Sequence, residues 1–124
     1  MSFKITISEN GKYIIGKVEG RLNREIAQQL AKEYVKLITS TGIKRILNDV
    51  RGVPDVMGIM DGYEYAYKDV ENIGFPRDIS AAIVADEGDT SHGFQETVAN
   101  NAGFNLKVFH SFDQAVNWLL TDNS

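Results

Sequence analysis

Four times along these 124 residues a short strand-like run, bounded by chain breakers, is followed by an amphipathic stretch of helical period. That alternation narrows the fold more than any single motif does. A further strand-like run precedes them: residues 3–9 alternate Phe3, Ile5 and Ile7 with Lys4, Thr6 and Ser8, the period of a strand with one wet face. Asn10-Gly11 comes next, the favoured pair for a tight hairpin because both positions adopt positive φ, and residues 13–19 read as the returning strand. The order is β β α β α β α β α. Strands separated by single helices cross over in parallel, so the prediction is an α/β fold: a mixed five-stranded sheet, opened by an antiparallel hairpin and packed with four helices.

The punctuation supports each element. Gly20 ends the second strand and Asn23 is placed to cap a helix in which Ile26, Ala27, Leu30, Ala31, Tyr34, Leu37 and Ile38 share a face. Its other side, Arg24, Glu25, Gln28, Gln29, Lys32, Glu33 and Lys36, reads as solvated. Thr41-Gly42 stops it, and residues 45–50 form the third strand. Asp55 is expected to cap a second helix over residues 56–72, with Val56, Ile59, Met60, Tyr63, Ala66, Tyr67 and Val70 on its buried stripe. Residues 79–85 are almost continuously apolar, as in a central strand. Asp89 is expected to cap a third helix, with Phe94, Val98 and Ala102 on one stripe and Gly103 at its end. After a last strand at residues 106–109, Ser111 and Gln114 have capping-box spacing, opening a helix that turns Phe112, Ala115, Val116, Leu119 and Leu120 to the core.

Composition bounds the function. With 43% hydrophobic and 24% charged residues the chain has the balance of a globular protein, and one domain over residues 1–124 is expected. The absence of cysteine excludes disulfides, thiolate metal sites and thiol catalysis, and fits the cytoplasm. Met1-Ser2-Phe3-Lys4-Ile5 lacks the apolar run of a signal peptide, and no stretch approaches the roughly 20 apolar residues of a membrane span. A net charge of −4 with dispersed Lys and Arg offers nucleic acid no basic track.

The element order, together with the stretch Ile46-Leu47-Asn48-Asp49-Val50-Arg51, the run from Phe94 to Ala99, the run from Gly103 to Phe109, and Ala115-Val116-Asn117-Trp118-Leu119, resembles the STAS superfamily of anti-sigma-factor antagonists, in particular its SpoIIAA-like branch. That branch is also compared with the CRAL-TRIO lipid-exchange fold. The resemblance covers nearly the whole chain and implies a non-enzymatic regulatory or binding module. STAS antagonists carry a phosphorylatable Ser or Thr at the start of the helix after the third strand. Here residues 44–78 contain neither, and Asp55 places a permanent negative charge near that point.

Sheets of this kind bind ligands beyond the carboxyl ends of their strands, where this sequence places Asp49, Arg51, Asp55, Asp86, Glu87, Asp89 and His92. Such a set could hold a hard cation or act as acid and base. Local jobs, capping and ion pairing, account for the same residues without a ligand. Two histidines are too few for a histidine metal cage, and each is expected to be partly exposed. No phosphate-binding glycine motif and no Gly-x-Ser-x-Gly elbow occurs, so no nucleophile and no cofactor is expected. Met57 and Tyr65 fall outside the stripe of the second helix, where Gly58 and Gly62 loosen it, and could line an apolar pocket or meet a partner or second copy. The alternative is a carrier of a lipid or other apolar small molecule, with Met60, Tyr63 and Tyr67 lining a pocket under that helix. A metal-assisted enzyme built on Asp49, Asp55, Asp86 and His92 ranks third.

Overall fold

The computed structural model describes residues 3–55 and 57–121. Met1 and Ser2 of the leading segment, and Val56 of the second helix's stripe, lie outside the described residues. Strands β1 (Phe3–Ile7), β2 (Ile14–Val18), β3 (Arg45–Asp49), β4 (Ser80–Val84) and β5 (Asn105–Phe109) form one sheet in the order β1-β2-β3-β4-β5. β1 and β2 pair antiparallel and every other neighbouring pair is parallel, so the mixed α/β sheet is as the sequence predicts.

The hairpin turn is longer than expected. Ile7 pairs with Ile14, leaving residues 8–13 to connect the strands, and only Gly11 takes positive φ, at 71°. The reason is Ser8: its buried hydroxyl donates to Asn10 Oδ1 at 2.6 Å and accepts from the Lys12 and Tyr13 N–H groups, each at 3.2 Å. A two-residue turn would break that network.

Helix α1 (Arg24–Thr41) begins as read, with Asn23 Oδ1 accepting from Ile26 N–H at 2.9 Å, and ends at Gly42 with φ 76°. It buries Leu30, Tyr34 and Ile38 against Ile14, Val18, Ile46 and Ile83 of the sheet. On the opposite face α5 (Phe112–Leu120) sets Ala115 and Leu119 against Leu47, Ala82 and Val84. Ser111 caps α5, accepting from Gln114 N–H at 3.3 Å. Leu120, expected in the core, is 38% exposed, because Leu119 already occupies the face that meets the sheet.

The second helix departs most from the sequence reading. It starts at Ile59, behind Gly58 and not Asp55, and runs as α2 (Ile59–Glu64), a π-helical segment (Tyr65–Asp69) and α3 (Val70–Ile73). Within it Val70 N–H reaches back five residues to the Tyr65 carbonyl. Gly62, Ala66, Asp69 and Val70 turn inward, while Ile59, Met60, Tyr63 and Tyr67 face out. The arm is thus rotated by roughly one residue step, about 100°, from the predicted stripe. Its packing against α4 (Gly93–Asn101) explains the turn: a Cβ on Gly62 would lie 2.5 Å from Gln95 Nε2 and 3.0 Å from Phe94 Cε2. The smallest residue of the arm is the one that lets two helices touch.

Candidate functional site

The residues that the sequence singles out fall into three arrangements. The first is a cavity of about 130 Å³ between the sheet and the helical arm. Its floor is Val18, Ile46, Asn48, Ala81 and Ile83, and its roof includes Tyr65, Ala66 and Val70. Of the residues read as pocket lining or partner surface, Tyr65 and Met57 line this space, whereas Met60, Tyr63 and Tyr67 do not. Tyr34 crosses it from α1 and donates through its hydroxyl to Asn48 Oδ1. β2 admits that hydroxyl only because residue 16 is glycine, whose Cβ would sit 1.8 Å from it. Burial pushes the Tyr34 and Tyr65 phenols well above their ordinary range, so both stay protonated donors. Tyr65 donates to the Ala27 carbonyl at 3.3 Å.

The second arrangement is the row of charges past the strand ends, which the fold divides in two. Asp49, buried on the α5 side, accepts from Arg51 Nε at 2.9 Å and Arg51 NH2 at 2.7 Å, with Lys17 Nζ 3.5 Å away. Burial acts to raise this carboxyl, but the Arg51 hydrogen bonds and the Lys17 charge outweigh it and hold Asp49 below the usual range. Arg51 also lies over the Phe112 ring at 5.5 Å. Asp86 accepts from Gly52 N–H at 2.6 Å and its carbonyl from His110 Nδ1 at 2.9 Å.

The other half lies around the loop before α4. Asp89 does not cap that helix. Its Oδ1 accepts from the Ser91 N–H at 2.9 Å and hydroxyl at 2.6 Å, chiefly through which its carboxyl is held low. Ser91 Oγ in turn accepts from Asp55 N–H at 2.9 Å. Asp55 caps no helix either: Oδ1 accepts from Met57 N–H at 2.8 Å, and burial, the largest influence, raises its carboxyl. His92, expected to be partly exposed, is 1% exposed, and Nε2 donates to the Val53 carbonyl at 3.0 Å, which fixes the tautomer. Each of these side chains is thus taken up by a local partner, and among the described residues no group of three or more His, Asp or Glu could hold a metal.

A further polar cluster escaped the sequence reading. Arg24, read as solvated, closes on Asp69 through Nε at 2.7 Å and NH2 at 3.0 Å, and Gln28 donates to the same carboxylate at 2.8 Å. The Arg24 hydrogen bond above all holds Asp69 low and raises Arg24 in return. This clamp ties α1 to the π segment. Its signal, an Asp at the inward step of the arm, does not show in the phase that hydrophobic periodicity predicts.

The third arrangement is the outward face of the arm. Ile59 is 67% exposed, Met60 71%, Tyr63 46%, Tyr67 43% and the neighbouring Phe94 of α4 38%. Tyr63 stacks on Tyr67 with ring centres 6.1 Å apart and meets Phe94 edge-on at 5.5 Å. Ring contacts join Tyr63, Tyr67 and Phe94, and Ile59 and Met60, four and three residues before Tyr63, share its helix face, so the five extend one apolar surface.

An uncharacterized protein of the DUF3478 family from Shewanella loihica PV-4, described as having a SpoIIAA-like fold, superposes with a TM-score of 0.60, over 94% of this chain and 91% of that one, at 19% identity. The fold is SpoIIAA-like. A second similar structure, an anti-sigma factor antagonist from Mycobacterium paratuberculosis, has a TM-score of 0.57 over 97% of this chain and 96% of its own, at 14% identity. No protein-family model and no curated protein matches the sequence. Among the described residues no helix is long and apolar enough to cross a membrane.

Proposed function

We propose that this SpoIIAA-like chain is a non-enzymatic regulatory or binding module that docks protein through the outward face of α2, the π segment and α4, a second copy of itself being the simplest partner. The observation that carries this is the continuous exposure of Ile59, Met60, Tyr63, Tyr67 and Phe94. Scattered apolar residues on a surface are ordinary, but a joined set dominated by Met and aromatic side chains is the composition of an interface core. Around it stand Asp61, Glu64 and Lys68, charges of both signs suited to a rim. A patch that matches itself across a two-fold axis would close as a dimer.

The likeness to an anti-sigma factor antagonist, a protein that acts against another protein, supports the same class of role. The lack of Ser or Thr over residues 44–78 supports docking that is not switched by phosphorylation beside the third strand. The alternative of a lipid carrier has little support, since a cavity of about 130 Å³ is near the size that holds one benzene ring and is far too small for a long acyl chain.

The test is a dilution series followed by amide NMR. Concentration-dependent shifts confined to residues 59–67 and Phe94 are the expected result. Spectra that do not change with concentration, in the absence of any partner, would remove self-association.

A further inference from the structure

We propose that the cavity beneath the helical arm is a binding site for a small neutral molecule with an apolar body and one hydrogen-bonding group, of the size and kind of phenol. This is independent of the docking face, which lies on the other side of the same arm.

Size comes first. A dry engineered cavity of about 150 Å³ takes up benzene, and this one measures about 130 Å³, so its occupant has roughly six to eight heavy atoms. Its character follows from the lining. Val18, Leu30, Ile46, Val70, Ile79 and Ile83 supply an apolar wall; among the described residues no Lys or Arg lines the space, and the one imidazole, His92, gives its Nε2 to the Val53 carbonyl, so no free cation balances an anion. The one carboxylate, Asp55, is already engaged by Met57 N–H. A charged ligand would pay desolvation without a partner, so the occupant is neutral.

The hydrogen-bonding group is placed by Asn48. This residue is the penultimate one of β3, the central strand, paired with Gly16 of β2 on one side and Ile83 of β4 on the other. Such a position ordinarily holds a β-branched or aliphatic side chain, as Ile46 does two residues earlier on the same face. Asn48 nevertheless remains half-buried rather than buried, because it opens on the cavity. Its side-chain oxygen accepts from the Tyr34 hydroxyl, and no described residue takes up Nδ2, so the residue lines the space with amide donors to spare. A polar amide at the floor of a largely apolar chamber, with its Nδ2 N–H donors left over, is suited to orient a ligand that carries one acceptor oxygen.

Phenol and benzene are the probes, titrated into the full chain and followed by amide NMR. Both should shift Asn48, Ala66, Ala81 and Ala99, with phenol the tighter. Ala81→Leu and Ala99→Leu, which fill the space from the floor and from α4, should each weaken both probes by tenfold or more. Asn48→Leu should weaken phenol by up to about tenfold, the worth of one hydrogen bond, and leave benzene unchanged or tighter. Equal loss of the two probes on Asn48→Leu would overturn the polar handle. Absence of shifts at these four residues in the unmutated protein at millimolar probe would overturn the site, whether or not the variants fold.

Discussion

Asn48 and Asp49 are neighbours in β3 and point to opposite faces of the sheet, one to the cavity and one to the charges beside α5. Asp49 is the more consequential for stability. Its carboxyl is held below the ordinary carboxylate value, so its contribution is present above the unfolded pKa of about 4 and is lost as pH falls through the lower folded value. Asp49→Asn should cost about 1–2 kcal/mol at neutral pH, discounted because Arg51 is half exposed, and the difference from the unmutated chain should close in acid denaturation curves. Asp55 has the opposite sign. Burial raises its carboxyl, so its contribution is present at low pH and fades as pH rises through the folded value. Asp55→Asn keeps the acceptor for Met57 N–H, and urea melts should show its stability relative to the unmutated chain improving from pH 4 to pH 7.

At the scale of elements, β2 and α1 meet through Gly16 and Tyr34. Gly16→Ala should cost about 2–3 kcal/mol by overpacking, because the added methyl meets the Tyr34 hydroxyl where it is held by Asn48. Combining it with Tyr34→Phe removes the closest clash. The double-mutant cycle should therefore show the two changes partly compensating, not adding. The strands, α1 and α5 were legible in the sequence because period, breakers and caps agreed there, as at Asn23, Gly42 and Ser111. The hairpin turn was not, since Asn10-Gly11 signals a tight turn and the deciding contact is the buried Ser8 hydroxyl, which no local pattern marks. The arm misled for two reasons. A π segment shifts the phase of a helical stripe, and a glycine at a helix contact counts for nothing in hydrophobic periodicity, although Gly62 is what α4 packs on.

That single phase error governed how the candidate site was read. With the arm turned, Tyr65 takes the pocket side of its two expected places, Met60, Tyr63 and Tyr67 pass from the expected wall to the surface, and Asp69 arrives opposite Arg24. The charged residues at the strand ends meet as the sequence orders them, but the fold gives each its own local partner: Arg51 for Asp49, Gly52 N–H for Asp86, Met57 N–H for Asp55 and the Val53 carbonyl for His92. What the molecule presents as a whole is a SpoIIAA-like sheet with one apolar helical face left uncovered. Sedimentation velocity over a wide range of concentration tests that face most directly. The unmutated chain should pass from monomer to dimer as concentration rises, and Met60→Lys and Tyr63→Glu, both at exposed positions, should stay monomeric with the fold intact. A chain that remains monomeric throughout, or a dimer that survives both substitutions, would contradict it.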